Sequence, residues 1–292
     1  MTLRRVEAVQ AWLLVLPAVV LLAAFTHIPA VATVVESLYT TPRGARPARF
    51  IGLDQYRTLM DDPVFWQALS NNGVYALVTI PVSVVLALGM ALAVDSKLPG
   101  RAALRLAYFT PTMLPMIAVA NIWLFFYTPD YGLLDQVGGL FGLGRHNWLG
   151  DPALALWSLI AVAVWKEAGF FMIFYLAALQ AIPVHLREAA ALEGAGRWVV
   201  LRRVVLPLLM PTTLFVVVNA VINAFRLVDH VVVMTRGGPD NTTTLLLYYI
   251  YETGFRFWDT GMAAALTTVL LVILAATAAI QFGVLGRRVH YR

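Results

Sequence analysis

Apolar and polar positions fall in long blocks along this chain, without the short period of a soluble amphipathic helix. Six apolar runs stand out, at residues 11–35, 71–94, 106–128, 153–180, 208–234 and 261–285. A helix rises about 1.5 Å per residue, so each run can cross a hydrocarbon core of about 30 Å. The pattern predicts an all-α membrane protein with six transmembrane helices, the whole of 1–292 forming one domain. The first run follows a short basic start with Arg4 and Arg5, which also describes a signal peptide. It is longer than a signal peptide's apolar stretch and five more spans follow it, which favours an uncleaved first span. In the second run Ala87, Gly89, Ala91 and Ala93 have the small-residue spacing that lets a neighbouring helix approach closely. The third carries Pro111 and Pro115 and is predicted to be kinked, its freed carbonyls re-satisfied by neighbours or water.

The connections differ in character. Residues 36–70 are polar, with a short amphipathic piece at 52–60; 95–105 are short and basic; 129–152 are Gly-rich; 235–259 have an apolar middle that reads as a re-entrant or interfacial helix. A basic tail closes the chain at 287–292.

Composition supports lipid as the solvent. Of 292 residues 60% are hydrophobic and 13% charged, whereas soluble domains are about a quarter charged. A net charge of +5 would raise nucleic acid as a partner of a soluble protein. Here the basic residues sort by membrane side instead. The start, the tail and the loops after the second and fourth runs hold twelve basic against four acidic residues, and the remaining loops hold seven against ten. The positive-inside rule then puts both termini in the cytoplasm and needs no nucleic acid. The first outer loop, with Arg43, Arg46, Arg49 and Arg57, runs against that rule. There is no Cys, and the five His are scattered without ligand spacing, so no metal site is expected.

Charges inside the apolar runs are the candidate chemistry, because charge at membrane depth is costly and marks a pathway or a pair. Lys166 and Glu167 sit mid-run; adjacent helical positions point about 100° apart, so they do not neutralise one another. They either line a polar path or pair with another span, Asp229 being one partner. In the fifth run Asn219, Asn223 and Arg226 share a face at i, i+4 and i+7, and Asp229 follows Arg226 at i+3. The bland reading is an intrahelical pair of Arg226 with Asp229; the stripe favours a face lining the path, with amides suited to hydroxyls. Tyr127, Tyr131, Trp148, Trp157, Tyr248, Tyr249 and Tyr251 gather near run ends, which reads mainly as an interfacial belt.

Residues 182–211 are too charged for lipid and too apolar on one face for a plain loop. Pro183 suits a first turn, 184–193 are good helix formers, and Gly194 and Gly196 end the helix. The bland reading is a connector between two spans. The spacing Glu188-Ala189-Ala190, then Gly194, then Val204-x-Leu206-Pro207 resembles the EAA motif of the membrane subunits of binding-protein-dependent ABC importers. The six runs, the stretch 175–183 (YLAALQAIP), the loop 235–239 (TRGGP) and Tyr251 with Gly254-Phe255 resemble the carbohydrate-importing permeases of maltose and glycerol-3-phosphate type. The end, Arg288-Val289-His290-Tyr291-Arg292, is most similar to the latter.

The resemblance implies a type I ABC importer permease fold with a cytoplasmic coupling helix at about 183–194. Glu188, Ala189, Ala190, Leu192, Glu193 and Gly194 would seat it in a groove of an ATPase subunit. The family's usual Asp before this Gly is Glu193 here. Implied partners are a second homologous permease subunit, two ATPase subunits, an extracytoplasmic solute-binding protein and the bilayer of a prokaryotic inner membrane. This chain would bind no cofactor and catalyse nothing, ATP and Mg belonging to the ATPases. That agrees with the sequence, where neither Lys97 nor Lys166 lies in a Gly-Lys-Ser/Thr phosphate loop. The cargo implied is a sugar, oligosaccharide or glycerol phosphoester. A polytopic lipid or glycosyl transferase and a passive channel remain as alternatives; the first needs converging carboxylates, and Asp61-Asp62 is the only adjacent acidic pair.

Overall fold

A computed structural model describes residues 2–96, 99–142 and 144–284. Lys97 and the basic tail, with the 288–292 segment, lie outside the described residues, as does Leu285 at the end of the sixth predicted span. The order of elements is α1 (Thr2–Leu22), a π turn (Ala23–His27), α2 (Ile28–Glu36), α3 (Asp54–Asp61), α4 (Pro63–Asp95), α5 (Arg101–Met113), α6 (Met116–Phe126), α7 (Leu133–Leu140) and α8 (Ala155–Ala181). Then come α9 (Val184–Leu192), α10 (Arg197–Val200), a second π turn (Leu201–Val205), α11 (Leu206–Leu208), α12 (Met210–Arg226), α13 (Asp229–Met234), α14 (Leu246–Tyr251), a third π turn (Glu252–Arg256) and α15 (Thr260–Val284). The described residues form no strand beyond two isolated bridges. Five helices are long and apolar enough to cross a membrane, or six if the bent pair α5–α6 is one span.

The chain divides into two compact units, residues 1–62 with 250–271, and residues 63–249 with 272–292. In the first unit, α1, the π turn and α2 run on as one apolar rod whose apolar side chains, Leu14 and Phe25 among them, are exposed. A rod of this composition requires lipid or another helix around it.

The second unit is organised on α4 and α8, whose packing is the most extensive in the structure. Asp62 takes an extended backbone, as a residue before proline does, and Pro63 opens α4. Along α4 the buried positions Asn71, Tyr75, Thr79, Ser83, Ala87 and Ala91 recur every four residues. Ala87 and Ala91 lie against Phe171, Met172 and Tyr175 of α8, whereas Gly89 is exposed. The small-residue spacing therefore works on one face only.

The predicted kink in the third span is a full break. Pro115 holds Leu114 extended, and α5 and α6 diverge by 105°. The fifth span breaks too: α12 stops at Arg226, Leu227 turns extended and α13 restarts at Asp229. The loop read as 129–152 contains α7, which its glycines hide from a propensity reading. The apolar middle of 235–259 is α14.

Three of the aromatics expected in an interfacial belt are instead packed. Tyr127 is buried and donates to the Ser158 carbonyl, Trp148 donates its indole N–H to Asp135, and Tyr248 donates to the Arg236 carbonyl. Tyr131 and Trp157 are exposed. Asp135 organises this loop. Burial by itself would raise its pKa, but the Trp148 indole at 2.8 Å and the amides of Asp130 and His146 donate to the carboxylate and hold it below its ordinary range. A depressed carboxylate contributes stability that is complete above its unfolded pKa, about 4, and is lost as pH falls through the folded value. Trp148 fluorescence is therefore expected to hold steady from pH 7 to about 4 and to change below it. Asp135→Asn should flatten that titration.

Candidate functional site

Two groups of residues carry the candidate chemistry, both in the second unit. The first is α9. It is closed at its C-terminus by a Schellman motif: Gly194 takes φ +75°, and the Ala195 amide donates back to the Ala190 carbonyl at 3.0 Å. Glu188, Ala189, Leu192 and Glu193 are exposed and Ala190 is half-buried; Leu192 stands 90% exposed, unusual for an apolar side chain with no cover. The helix thus offers Glu188 beside small alanines on an open face. A Cβ at Gly194 would meet nothing within 4 Å, so any cost of substitution there is conformational. Gly194→Ala is expected to cost about 1–2 kcal/mol, confined to α9. Hydrogen exchange should show faster exchange of α9 amides and unchanged α8.

The second group lies between α4, α8 and α12. Lys166 and Glu167 point to different neighbours, as their spacing requires. Lys166 Nζ donates to the carbonyls of Pro111 at 3.0 Å and Leu114 at 2.5 Å, the acceptors released where α5 breaks from α6. Glu167 Oε2 accepts from Asn223 Nδ2 at 2.8 Å. A cavity of about 10 Å³, room for a single water, lies beside this pair and is lined by Tyr75, Thr79 and Ser83 of α4 with Glu167 and Asn223. The hydroxyl of Ser83 is buried there without a hydrogen-bond partner. Five polar side chains thus converge at mid-helix depth, with Thr79 donating to the Tyr75 carbonyl and the Tyr75 hydroxyl 3.1 Å from His230 Nε2.

The remaining candidates are not drawn into this cluster. Asn219 donates to the Phe215 carbonyl of its own helix. Arg226 is exposed at the end of α12, and Asp229 opens α13. The helix break separates them, and they form no ion pair with each other or with Lys166 among the described residues. Of the three residues sharing the α12 face, only Asn223 reaches a neighbouring helix through its side chain.

Several contributors were not singled out from the sequence. The α4 positions Tyr75, Thr79 and Ser83 recur at i+4, a polar stripe legible in principle. Asn71 donates to the carbonyls of Asn241 and Thr244, at 2.8 and 3.0 Å. Asn72 donates to the Ala224 carbonyl and accepts from the Leu246 amide. Together they clamp the segment that follows α13 onto α4. His230 is fully buried, its Nε2 3.1 Å from the Tyr75 hydroxyl. Within the 235–239 loop, Gly237 has φ +82°, and a Cβ would run into Thr244 and Tyr248. No group of three or more His, Asp or Glu gathers as a metal site among the described residues.

The comparisons agree with this architecture. The family described as "Binding-protein-dependent transport system inner membrane component" matches residues 74–291. The lactose transport system permease protein LacF of Rhizobium radiobacter is 33% identical over 286 residues, covering 96% of this chain and 95% of that protein. The sn-glycerol-3-phosphate transport system permease protein UgpA of Agrobacterium fabrum is 32% identical over 285 residues, covering 96% of each. A crystal structure of a bacterial ABC transporter involved in the import of the acidic polysaccharide alginate superposes with a TM-score of 0.78 at 25% identity, covering 97% of this chain and 98% of that one. An all-helical chain with five or six apolar spans, matching that family over most of its length, belongs to the binding-protein-dependent transport system inner membrane components and is a permease subunit of an ABC transporter.

Proposed function

We propose that this permease pairs with a second homologous permease subunit, two ATPase subunits and an extracytoplasmic solute-binding protein, and imports a sugar, oligosaccharide or glycerol phosphoester by alternating access. The termini and α9 face the cytoplasm, as the sorting of Lys and Arg supports. There α9 is the coupling helix: Glu188 meets a basic residue of the ATPase, Ala189 and Ala190 allow close seating, and Leu192 buries its exposed side chain in the groove. ATP and Mg bind the ATPases and not this chain. Closure of the ATPases moves α9, and through it α8 and α12.

The substrate path runs past Glu167 and Asn223. The observation that carries this is the convergence of Glu167, Asn223, Ser83, Thr79 and Tyr75 on one small cavity, with Ser83 left without a partner. A cavity with room for one water is a closed path, which opens when α4, α8 and α12 part. The named cargoes of relatives, lactose and sn-glycerol 3-phosphate, support a polyhydroxylated solute.

The test is uptake into proteoliposomes of the assembled complex, with radiolabelled lactose and glycerol 3-phosphate offered separately. Accumulation of one solute only when ATP and the solute-binding protein are both present is the expected result. Flux without ATP would overturn the import reading in favour of a channel.

A further inference from the structure

The four arginines that break the charge rule of the first outer loop are not scattered on a disordered connection. Three of them sit on a short, built hairpin. Residues 39–51 carry Arg43, Arg46 and Arg49 and no acidic residue. Tyr39 pairs with Phe50 and Arg43 with Arg46 in antiparallel register, the turn between them passing through Gly44 at φ +58°. The ladder is closed by the Thr40 amide to the Arg49 carbonyl at 2.9 Å and the Ile51 amide to the Leu38 carbonyl at 2.9 Å.

The base of the hairpin is fixed to the start of α15 within the same unit. Thr41 donates to Asp259, and the Gly261 amide donates to Thr41 Oγ1 at 2.8 Å. Gly261 has no room for a side chain, because a Cβ would press on the Tyr39 carbonyl at 2.6 Å. The arginines therefore project from a pre-positioned element.

They line an open groove of about 460 Å³ together with Thr40, Gln55 and Asp259. Asp259 is the one carboxylate there, and it is already engaged: its Oδ1 accepts from Thr41 and from the Met262 amide, and its Oδ2 lies 3.9 Å from Arg43. Among the described residues neither Arg46 nor Arg49 has a carboxylate partner. Apart from the three hairpin arginines, the loops that the charge count groups with this one hold four basic against ten acidic residues, so residues 39–51 are a basic stretch among mostly acidic loops.

We propose that this groove docks an acidic patch on the solute-binding protein, which rests on the importer reading above. Arg is the residue suited to bidentate pairing with carboxylates, and it anchors protein interfaces. A pre-positioned hairpin loses little conformational freedom on docking. A membrane headgroup layer is the competing partner, since Phe50 at the foot of the hairpin is 62% exposed; the arginine-bearing residues 40–49 themselves include no large apolar side chain, which favours a protein partner at the groove.

The experiment uses the assembled complex in nanodiscs of phosphatidylcholine and follows ATP hydrolysis against the concentration of the liganded solute-binding protein. Arg46→Glu with Arg49→Glu is expected to raise the half-saturating concentration by about tenfold or more and to flatten its dependence on salt. Arg46→Lys with Arg49→Lys should recover most of that loss if charge is what is read. Arg57→Glu, outside the groove, serves as the control. An unchanged half-saturating concentration in the double Glu variant, with its melting temperature intact, overturns the proposal. So does a loss that appears only when phosphatidylglycerol is added to the discs, since that makes lipid the partner. If the wild-type complex is not stimulated by the binding protein at all, the importer reading itself falls.

Discussion

Replacing Lys166 by Met is expected to destabilise the protein by about 3 kcal/mol or more. The ammonium makes two hydrogen bonds to backbone carbonyls, Pro111 at 3.0 Å and Leu114 at 2.5 Å. A bond to a charged group contributes about 1.5–3 kcal/mol net, and a carbonyl left unpaired at membrane depth carries its own cost. Both carbonyls exist as free acceptors because the chain breaks there: Pro115 has no N–H, and Leu114 is extended before it. Met fills similar space without donating, so the loss isolates the hydrogen bonds. Lys166→Arg keeps the charge and should recover part of the stability. Thermal unfolding in detergent, followed by circular dichroism, measures both. Equal melting temperatures for the Met variant and the wild type would mean that water already satisfies these carbonyls.

The second large effect is expected at Gly169, one turn further along α8. It is fully enclosed, and a Cβ there would collide with the Tyr108 carbonyl and touch Thr112 Cγ2 at 3.1 Å. The obstacle is backbone, which cannot rotate away as a side chain can. Gly169→Val must push α5 off α8, and overpacking of this kind costs about 1–3 kcal/mol, at the upper end where backbone has to move. Lys166 and Gly169 hold the same junction from two sides, one by hydrogen bonds to the break and one by close contact with α5. Their effects should therefore fail to add: the double variant Lys166→Met with Gly169→Val is expected to lose less than the sum of the two singles. Full additivity would show that the break and the α5–α8 contact are independent.

The sequence reading reached the α8 charges but not their partners, and the reason is physical. The mid-helix placement of Lys166 and Glu167, both half-buried, follows from hydropathy and position, and their divergence follows from helical geometry. That Lys166 serves a broken helix more than fifty residues earlier, rather than an acid such as Asp229, depends on the 105° turn at Pro115, and proline alone does not set such an angle. For the same reason Arg226 and Asp229 read as an i, i+3 pair only while the helix is assumed to continue; Leu227 ends it. The α4 stripe is legible in the sequence, since Asn71, Tyr75, Thr79 and Ser83 recur every four residues, and Ala87 and Ala91 continue the same face. The α9 helix and its stop were legible because capping is local: Gly194 has the left-handed backbone that glycine at that position implies. The arginine hairpin was visible only as a charge that broke a rule.

On the proposed function, α9 transmits the work of the ATPases to the path beside Glu167. The experiment measures solute uptake and ATP hydrolysis together, in proteoliposomes holding the assembled complex with Glu188→Ala and Gly194→Ala in this chain. The variant complex is expected to assemble and still hydrolyse ATP while uptake per ATP falls about tenfold or more, the scale of a lost charge-assisted contact; uptake per ATP equal to that of the wild type would remove α9 from the coupling.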